Sequence, residues 1–313
     1  MSGLTIGVDL GGTNTLAGLV DEAGEVLGRS GCPTRLDLDS EGVIRGIVAC
    51  VRGAAREGGT DLLEVASVGV GSPGPLDAFE GVIISPENLP CMRGVRLKDR
   101  LEDALGLPVV VDNDANLAAY GEQWLGAGRG VDHFLCVTLG TGVGGGWIAN
   151  GRLMHGFNGN AAEVGHTTID LNGPRCACGN YGCLEMYASA TAMVRRARQR
   201  LAQDRPKTTL RAEGLTTRAM FEAAEADDVF ARAMFEETGF FLGVGLVNMV
   251  SALNVEVVAL CGGLARAGEW LFEPARRTFQ ERGAVGVKEY VRIVPGALGD
   301  DAGILGAARL ARG

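Results

Sequence analysis

Apolar and polar residues alternate along residues 4–29, and turns at "GGT" and "DEAGE" interrupt the alternation. This period of two predicts successive antiparallel strands. The arrangement returns over residues 134–153, where an apolar strand leads through a Thr/Gly loop into another strand and a tight turn. Residues 9–13 align with 138–142 so that both loops and their flanking apolar runs match. The pattern therefore predicts an internal duplication.

Helical spacing and continuous apolar runs predict the other elements. The predicted helices cover residues 40–59, 97–106, 115–126, 184–204, 216–226, 228–253 and 299–312. The predicted buried strands cover residues 65–71, 107–112 and 255–260. Strands that alternate with helices indicate α/β layering. We predict a smaller α/β domain, residues 1–115 plus the terminal helix 299–313, and a larger one, residues 116–298, which carries a cysteine-rich loop and most helices.

Composition narrows the function classes. The chain has 313 residues, 46% of them hydrophobic, and a formal net charge of −9, which provides no basic surface for nucleic acid. The start lacks a signal peptide, and no window reaches about 18 uncharged apolar residues. We therefore expect a cytoplasmic protein that binds neither nucleic acid nor membrane. Five isolated cysteines are typical of small buried hydrophobes in a reducing compartment.

The two glycine loops are candidate phosphate sites. Each is followed by a strand and not by a helix, which excludes a dinucleotide fingerprint or a P-loop. Backbone N–H groups exposed by glycines bind anions, the Asp9 carboxylate would hold Mg²⁺, and the Thr13 and Thr141 hydroxyls would contact phosphate oxygens. The alternative is that both loops serve only as hairpin turns, which the matching positions of two such loops disfavour.

Asn113 and Asp114 stand between a buried strand and a helix. Asp114 has two interpretations, which can coexist: it caps the helix, or its carboxylate accepts a proton. The cap alone does not explain the position at the carboxyl end of a strand, where α/β proteins bind ligands.

One histidine and three cysteines lie within eighteen residues: His166, Cys176, Cys178 and Cys183. One nitrogen and three thiolates complete a closed tetrahedral zinc site, which makes the predicted zinc structural. It would hold the loop so that Glu163 and Glu185 point at one place. The alternative is a redox pair with an unrelated histidine, which leaves the third thiol unexplained.

The motifs together resemble the ROK family of sugar kinases and repressors over essentially the full length. The motifs that carry the resemblance occur in the family's order: "DLGGTN", "GVGSPGPLD", "NLP", "DNDAN", "LGTGVGGG", "EVGH", "CACGNYGCLE" and "CGGLA". The resemblance implies an actin-like, ribonuclease H-like two-domain fold with ATP and a hexose in the interdomain cleft.

The resemblance also implies residue roles. Asp114 matches the base that takes the proton from the sugar 6-hydroxyl. The positions that match sugar-binding residues are Asn88, Asn113, Asp114, Glu163, His166 and Glu185. The positions that match phosphate-binding residues are Asp9, Gly11, Gly12, Thr13, Asn14, Thr141 and Gly142, and those on the nucleoside side are Gly262 and Gly263. His166 matches a zinc ligand as well, so its two ring nitrogens would serve two tasks.

The implied activity is an ATP-dependent sugar kinase with glucose as the leading substrate, acting as a homodimer or homotetramer. Kinases of N-acetylglucosamine, N-acetylmannosamine or both glucose and mannose are the alternatives, since Cys91, Met92 and Ala162 depart from the usual glucokinase motifs. A sugar-responsive regulator is disfavoured, because the first phosphate hairpin begins within ten residues of the start, without a preceding helix-turn-helix.

Overall fold

The structure is a computed structural model that describes residues 3–34, 39–86 and 88–313. The strands are β1 (Thr5–Leu10), β2 (Asn14–Val20), β3 (Val26–Pro33), β4 (Ser67–Ser72), β5 (Leu76–Asp77), β6 (Val82–Ile83), β7 (Val95–Arg96), β8 (Val109–Asn113), β9 (Phe134–Leu139), β10 (Val143–Ala149), β11 (Arg152–Leu153), β12 (Val257–Cys261) and β13 (Arg292–Pro295). The α-helices are α1 (Ser40–Glu57), α2 (Leu97–Leu105), α3 (Asp114–Leu125), α4 (Glu185–Ala188), α5 (Ala190–Gln203), α6 (Thr217–Glu225), α7 (Val229–Leu253), α8 (Glu269–Arg282) and α9 (Ala302–Ala311).

The chain divides into two compact units. Unit 1 contains Met1–Cys136, Gly146–Ala162 and Gly296–Gly313, and unit 2 contains Val137–Gly145 and Glu163–Pro295. The sequence-based boundary near residue 115 falls at the start of α3. The contacts instead group all of α3 with unit 1, because α3 packs along the terminal helix α9.

Two five-stranded sheets repeat one design. The first has the order β3-β2-β1-β4-β8 and the second has the order β11-β10-β9-β12-β13. In each sheet the first strand of a hairpin is central, β1 in one and β9 in the other. The predicted internal duplication is therefore confirmed at the level of strand order. A third sheet, of order β5-β6-β7, was not predicted, because its strands are only two residues long.

The core of unit 1 lies between the first sheet and the helices α1 and α2, where Ile6, Val70 and Ile47 are among the fully buried side chains. Helix α9 is in contact with β1 and β4. A Cβ added to Gly7 or to Gly69 would lie only 1.9 or 2.0 Å from a carbonyl oxygen of α9. Glycine at these two positions therefore permits the close approach of the terminal helix, which packs on the first domain as predicted.

Helix α1 begins at Ser40, as predicted, but another predicted helix is divided in two. Asp39 is the N-cap of α1, because its carboxylate accepts the N–H of Gly42 at 2.9 Å. The single helix predicted for 184–204 is broken into α4 and α5 at Ser189, whose backbone is extended and whose hydroxyl accepts the N–H of Ala192 at 3.0 Å. Local hydrogen bonds from short polar side chains favour such ends over a continuous helix.

Helix α7 is long and apolar enough to cross a membrane by length and composition alone, the one such helix among the described residues. In the folded chain, 56% of its most apolar window is buried inside the protein. The core helix of a globular protein has the same features. The expectation that the protein binds no membrane stays a prediction.

Candidate active site

The loop between β1 and β2 is held in shape by hydrogen bonds from two sides. The N–H of Gly11 donates to the carbonyl of Asn14 at 3.0 Å. Beyond β3, Thr34 donates its N–H to the carbonyl of Thr13 at 2.7 Å and its hydroxyl to the carbonyl of Gly11 at 2.8 Å. The loop that carries the predicted phosphate-binding residues is thus a fixed turn.

Three parallel strands of the first sheet end at one edge, and their register aligns two acidic residues. Asp9 on β1 pairs with Gly71 on β4, and Gly71 pairs with Asp112 on β8. Since neighbouring strands lie about 4.8 Å apart and one strand stands between them, the Cα atoms of Asp9 and Asp112 are separated by roughly 10 Å. Asn113 and Asp114 follow Asp112 directly, so they lie at the same edge as Asp9.

The start of α3 tests the interpretation of Asp114 as the helix cap. Asn113 has extended backbone and is the N-cap: its side-chain oxygen accepts the N–H of Ala115 at 2.9 Å and of Asn116 at 3.3 Å. The interpretation of Asp114 as the cap is wrong, because Asp114 is the first helical residue. Its carboxylate, which accepts the N–H of Ala115 at 2.8 Å, lies in the first turn, where the helix macrodipole favours a negative charge.

Two asparagines predicted to bind sugar lie against glycines of unit 1. A Cβ added to Gly12 would come within 3.3 Å of Asn88 Cβ, so Asn88 lies beside the first predicted phosphate loop. A Cβ added to Gly74 would come within 3.2 Å of Asn113 Nδ2. The side-chain oxygen of Asn113 already accepts the two N–H groups of the cap. Its amide N–H₂ group is therefore the group that can donate a hydrogen bond to a ligand.

Sequence reasoning assigned no function to His155, yet the structure pairs it with Asp112. His155 Nε2 lies 2.5 Å from Asp112 Oδ2, and the Asp112 side chain is 1% exposed. The hydrogen bond with Asp112 raises the pKa of His155, although burial opposes this. The partners are 43 residues apart, so no local pattern could have indicated the pair.

The loop between β9 and β10 also has an internal hydrogen bond, in which Gly140 N–H donates to the carbonyl of Gly142 at 3.0 Å, two residues later and not three as in the first loop. It also contacts Glu185, whose Oε2 accepts the N–H of Val143 at 3.0 Å. A Cβ on Gly142 would lie 2.3 Å from that same oxygen. The predicted phosphate loop, including Thr141, and the predicted sugar carboxylate are therefore in direct contact within unit 2.

The four predicted metal ligands lie together. One ligand atom from each of His166, Cys176, Cys178 and Cys183 lies within 4.8 Å of the others. His166 Nδ1 is 3.6 Å from Cys176 Sγ, and Cys178 Sγ is 3.7 Å from Cys183 Sγ. Zinc with tetrahedral ligands at about 2.0–2.3 Å separates those ligands by roughly 3.5–3.8 Å, so these distances fit zinc.

Two of the cysteine thiols in this cluster have raised pKa values. Burial, together with hydrogen bonds with Cys178 and Cys176, raises the pKa of the Cys183 thiol to about 12. Burial also raises the pKa of Cys176. Three sulfurs this close do not ionise together without a positive charge between them, whereas a bound metal ion deprotonates thiols outright.

Glu163 and His166 follow each other across a short 3-10 turn. While Nδ1 of His166 faces Cys176, its Nε2 lies 3.9 Å from Glu163 Oε2. Partial burial raises the pKa of Glu163; the His166 ring lowers it, and the Glu185 carboxylate raises it. The two sugar-binding carboxylates and the imidazole predicted in unit 2 are thus close enough to influence one another.

Gly262 and Gly263 follow β12. Gly262 has a φ of 88°, and a Cβ there would lie 2.6 Å from the carbonyl oxygen of Leu139, at the end of β9. Glycine is needed at 262 for both reasons. A Cβ at Gly263 would meet nothing within 4 Å, so the backbone there is open.

Asp9 has a second carboxylate nearby. Burial raises the pKa of Asp9, and the charge of Asp300 raises it further. Gly303 in α9 lies against the Asp9 carboxylate, since a Cβ there would come within 3.2 Å of its oxygen. Carboxylate oxygens are the ligands that Mg²⁺ prefers, so the donor set fits this ion.

Comparison with known proteins gives a consistent result. The sequence model of the ROK family matches residues 5–313. A glucokinase of Halalkalibacterium halodurans is 36% identical over 316 residues, covering 98% of this chain and 94% of that protein. A glucokinase of Thermotoga maritima is 38% identical over 309 residues, covering 97% of this chain and 96% of that protein.

A solved structure is similar throughout. The crystal structure of a ROK family glucokinase from Streptomyces griseus in complex with glucose and AMPPNP matches with a TM-score of 0.86 at 39% identity, covering 99% of each chain. The predicted actin-like ATPase fold is thereby confirmed.

Proposed function

The chain belongs to the ROK family and is an ATP-dependent sugar kinase, and we propose that it transfers the terminal phosphoryl group of ATP to the 6-hydroxyl of glucose. The observation that carries the proposal is the start of α3, where Asn113 makes the cap and leaves the Asp114 carboxylate in the first turn. This carboxylate stands at the strand edge that also carries Asp9 and the first phosphate loop. The similarity to glucokinases supports glucose as the sugar.

In this proposal Asp114 accepts the proton of the 6-hydroxyl as that oxygen attacks the γ-phosphorus. A positioned base of this kind contributes about 10²–10⁴-fold to the rate. The remaining catalysis comes from positioning and from stabilising charge on the phosphoryl oxygens. The first loop would contribute to this through Gly11, Gly12, Thr13 and Asn14, and the second loop through Thr141 and Gly142. Gly262 and Gly263 would contact the nucleoside.

Mg²⁺ would be held by Asp9, and it would neutralise charge on the nucleotide phosphates. The adjacency of Asp300 supports this role, because a divalent cation removes the repulsion between two carboxylates.

We propose that Asn88, Asn113, Asp114, Glu163, His166 and Glu185 bind the sugar hydroxyls. Carboxylates and amides suit a neutral polyhydroxylated ligand. A sugar that lacks one hydroxyl would leave a buried polar group unpaired, which is how such a site discriminates. The departure at Met92 has little bearing on specificity, since that side chain is fully buried in the core of unit 1.

We propose that His166, Cys176, Cys178 and Cys183 bind one structural zinc ion. Its chemistry would be to cross-link the loop, because four protein ligands leave no open position. The His166 ring would bind zinc through Nδ1 and present Nε2 to the sugar, in agreement with the directions of its two nitrogens.

A coupled ADP-release assay tests the substrate assignment. We expect the highest kcat/KM for glucose in a set with mannose, fructose, N-acetylglucosamine and N-acetylmannosamine. A higher kcat/KM for an N-acetylated sugar would show that this sugar, and not glucose, is the substrate. No turnover of glucose would refute the proposed substrate. Replacing ATP by polyphosphate, with the sugar phosphate measured directly, identifies the donor.

We further propose a cytoplasmic homo-oligomer, a dimer or a tetramer, as the family resemblance implies. Size-exclusion chromatography with light scattering measures the subunit number. A monomer at micromolar concentration would contradict this part of the proposal.

A further inference from the structure

The turn between β8 and α3 is organised by one buried carboxylate. Asp112 Oδ1 accepts the N–H of Asn113 at 2.7 Å and the side-chain amide of Asn116 at 2.9 Å. These two bonds lie on either side of Asp114 in the chain. Asp112 Oδ2 is bonded to His155 at 2.5 Å. The position of Asp114 thus depends on a carboxylate that lies two residues before it.

His155 is the partner of Asp112 that comes from outside this turn. It belongs to the segment after β11, and its carbonyl accepts the N–H of Ala161 at 3.1 Å. The Phe79 ring lies near the imidazole, with ring centroids 6.0 Å apart and the ring planes tilted by 56°. The imidazole therefore has an aromatic ring as well as the carboxylate for a neighbour.

A buried carboxylate needs a partner. Charges are retained inside a protein when they are paired and hydrogen-bonded, and removal of one partner leaves the other uncompensated. The raised pKa of His155 keeps the ring protonated to higher pH, which favours a charge-assisted bond with Asp112. Without the ring, Asp112 would rotate toward water or water would enter the site. The turn would then lose its hydrogen bond to the segment after β11.

We propose that His155 is a positioning residue for phosphoryl transfer, acting through Asp112 on the turn that presents Asn113 and Asp114. The inference rests on the proposed role of Asp114 as the base. It assigns to His155 an effect on the orientation of the base and of one sugar ligand, with no contact to the nucleotide.

Steady-state kinetics of His155→Ala test the inference. We expect kcat to fall about ten- to a hundredfold, the effect of displacing a catalytic group by roughly 1 Å, while KM for ATP changes less than twofold. His155→Gln should restore most of kcat, because its amide can donate to Asp112. The control is Phe157→Ala on the same segment, whose side chain is 100% exposed, and it should behave as wild type.

A double-mutant cycle shows whether the effect passes through Asp112. If it does, adding His155→Ala to Asp112→Asn lowers kcat little further, whereas independent effects multiply. Should Asp112→Asn fail to fold, the rescue by His155→Gln decides alone. An unchanged kcat per folded molecule in His155→Ala, with only the melting temperature lowered, overturns the inference.

The same assays separate this inference from the proposed function. If Asp114→Asn is inactive and His155→Ala is fully active, only the positioning role fails. If Asp114→Asn keeps its turnover, the base assignment fails, and the positioning role fails with it.

Discussion

The turn between β8 and α3 and the loop between Glu163 and Glu185 both present acidic side chains, but different forces hold them. In the turn, the side chains of Asp112 and Asn113 bond to neighbouring N–H groups, and a strand and a helix continue on either side. In the loop, the regular pairing described is two isolated bridges, Thr168 with Cys183 and Arg175 with Tyr181.

This difference teaches where a cross-link is needed. The strand and the helix on either side of a short turn fix most of its backbone geometry. Hydrogen bonds from a few polar side chains then stabilise that geometry. A long loop loses a large conformational entropy when it folds, and in this loop backbone hydrogen bonds such as that from Gly182 N–H to the carbonyl of Pro174 offset part of the cost. The four converging side chains agree with the proposal that a bound metal ion adds a further constraint to this loop.

The largest effect is expected for Asp114→Asn, which tests the turn between β8 and α3. Since Asn113 makes the cap, the fold should persist while turnover falls by about 10²–10⁴-fold through loss of the base. Initial-rate kinetics and thermal unfolding measure the two effects. Turnover within tenfold of wild type would show that the turn presents no catalytic base.

Cys178→Ser tests the other region. We expect most of the zinc to be lost and the melting temperature to fall, because metal binding and folding of the loop are coupled. Metal analysis by mass spectrometry and a thermal melt report both, with Cys91→Ser, outside the cluster, as the control. Full zinc content in Cys178→Ser would refute the ligand set.

Gly142→Ala tests the contact between the β9–β10 loop and Glu185, the residue that ends the loop from Glu163. The added Cβ would lie 2.3 Å from Glu185 Oε2, so the carboxylate must move. We expect KM for the sugar to rise roughly ten- to hundredfold, the range for a perturbed substrate contact. Gly140→Ala is the matched control, since its added Cβ would meet nothing within 4 Å. We expect a smaller rise of KM for the sugar in that variant. Equal effects of both variants would contradict the contact as the cause.

The smallest effect is expected for Ala162→Gly, at the entrance to the loop. Ala162 has a φ of 61°, in the region that favours glycine. Relief of this strain should raise the free energy of unfolding by about 0.5–1 kcal/mol. Ala161→Gly, where φ is not positive, should lower it instead. Denaturant unfolding compares the two, and destabilisation by Ala162→Gly would show that the conformation costs nothing.

Much of the fold could be predicted from periodicity. The two hairpins and the helices α1, α2, α3, α6, α7 and α9 lie where the apolar pattern indicates them, because each buries one face on a core. The prediction missed α8 and β13 and ran α4 and α5 together. A local hydrogen bond from Ser189 decided the last of these, and it leaves no trace in the apolar period.

The candidate site divides in the same way. The convergence of His166 and the three cysteines could be predicted, because a histidine and three cysteines within a short stretch form a complete zinc ligand set. The pairing of His155 with Asp112 could not be predicted, because α3, β9, β10 and β11 lie between the two residues in the chain and no motif links them.

Residue type and order therefore determined the chemistry available to this protein: glycine loops, acids at strand ends and a sulfur-rich ligand set. Only the tertiary structure decided how neighbours divide the work, with Asn113 as the cap, Asp114 in the first turn and Asp112 bonded to a distant histidine. The physical reason is that a hydrogen bond depends on distances and angles that long-range packing sets, whereas periodicity reports only which face of an element is buried.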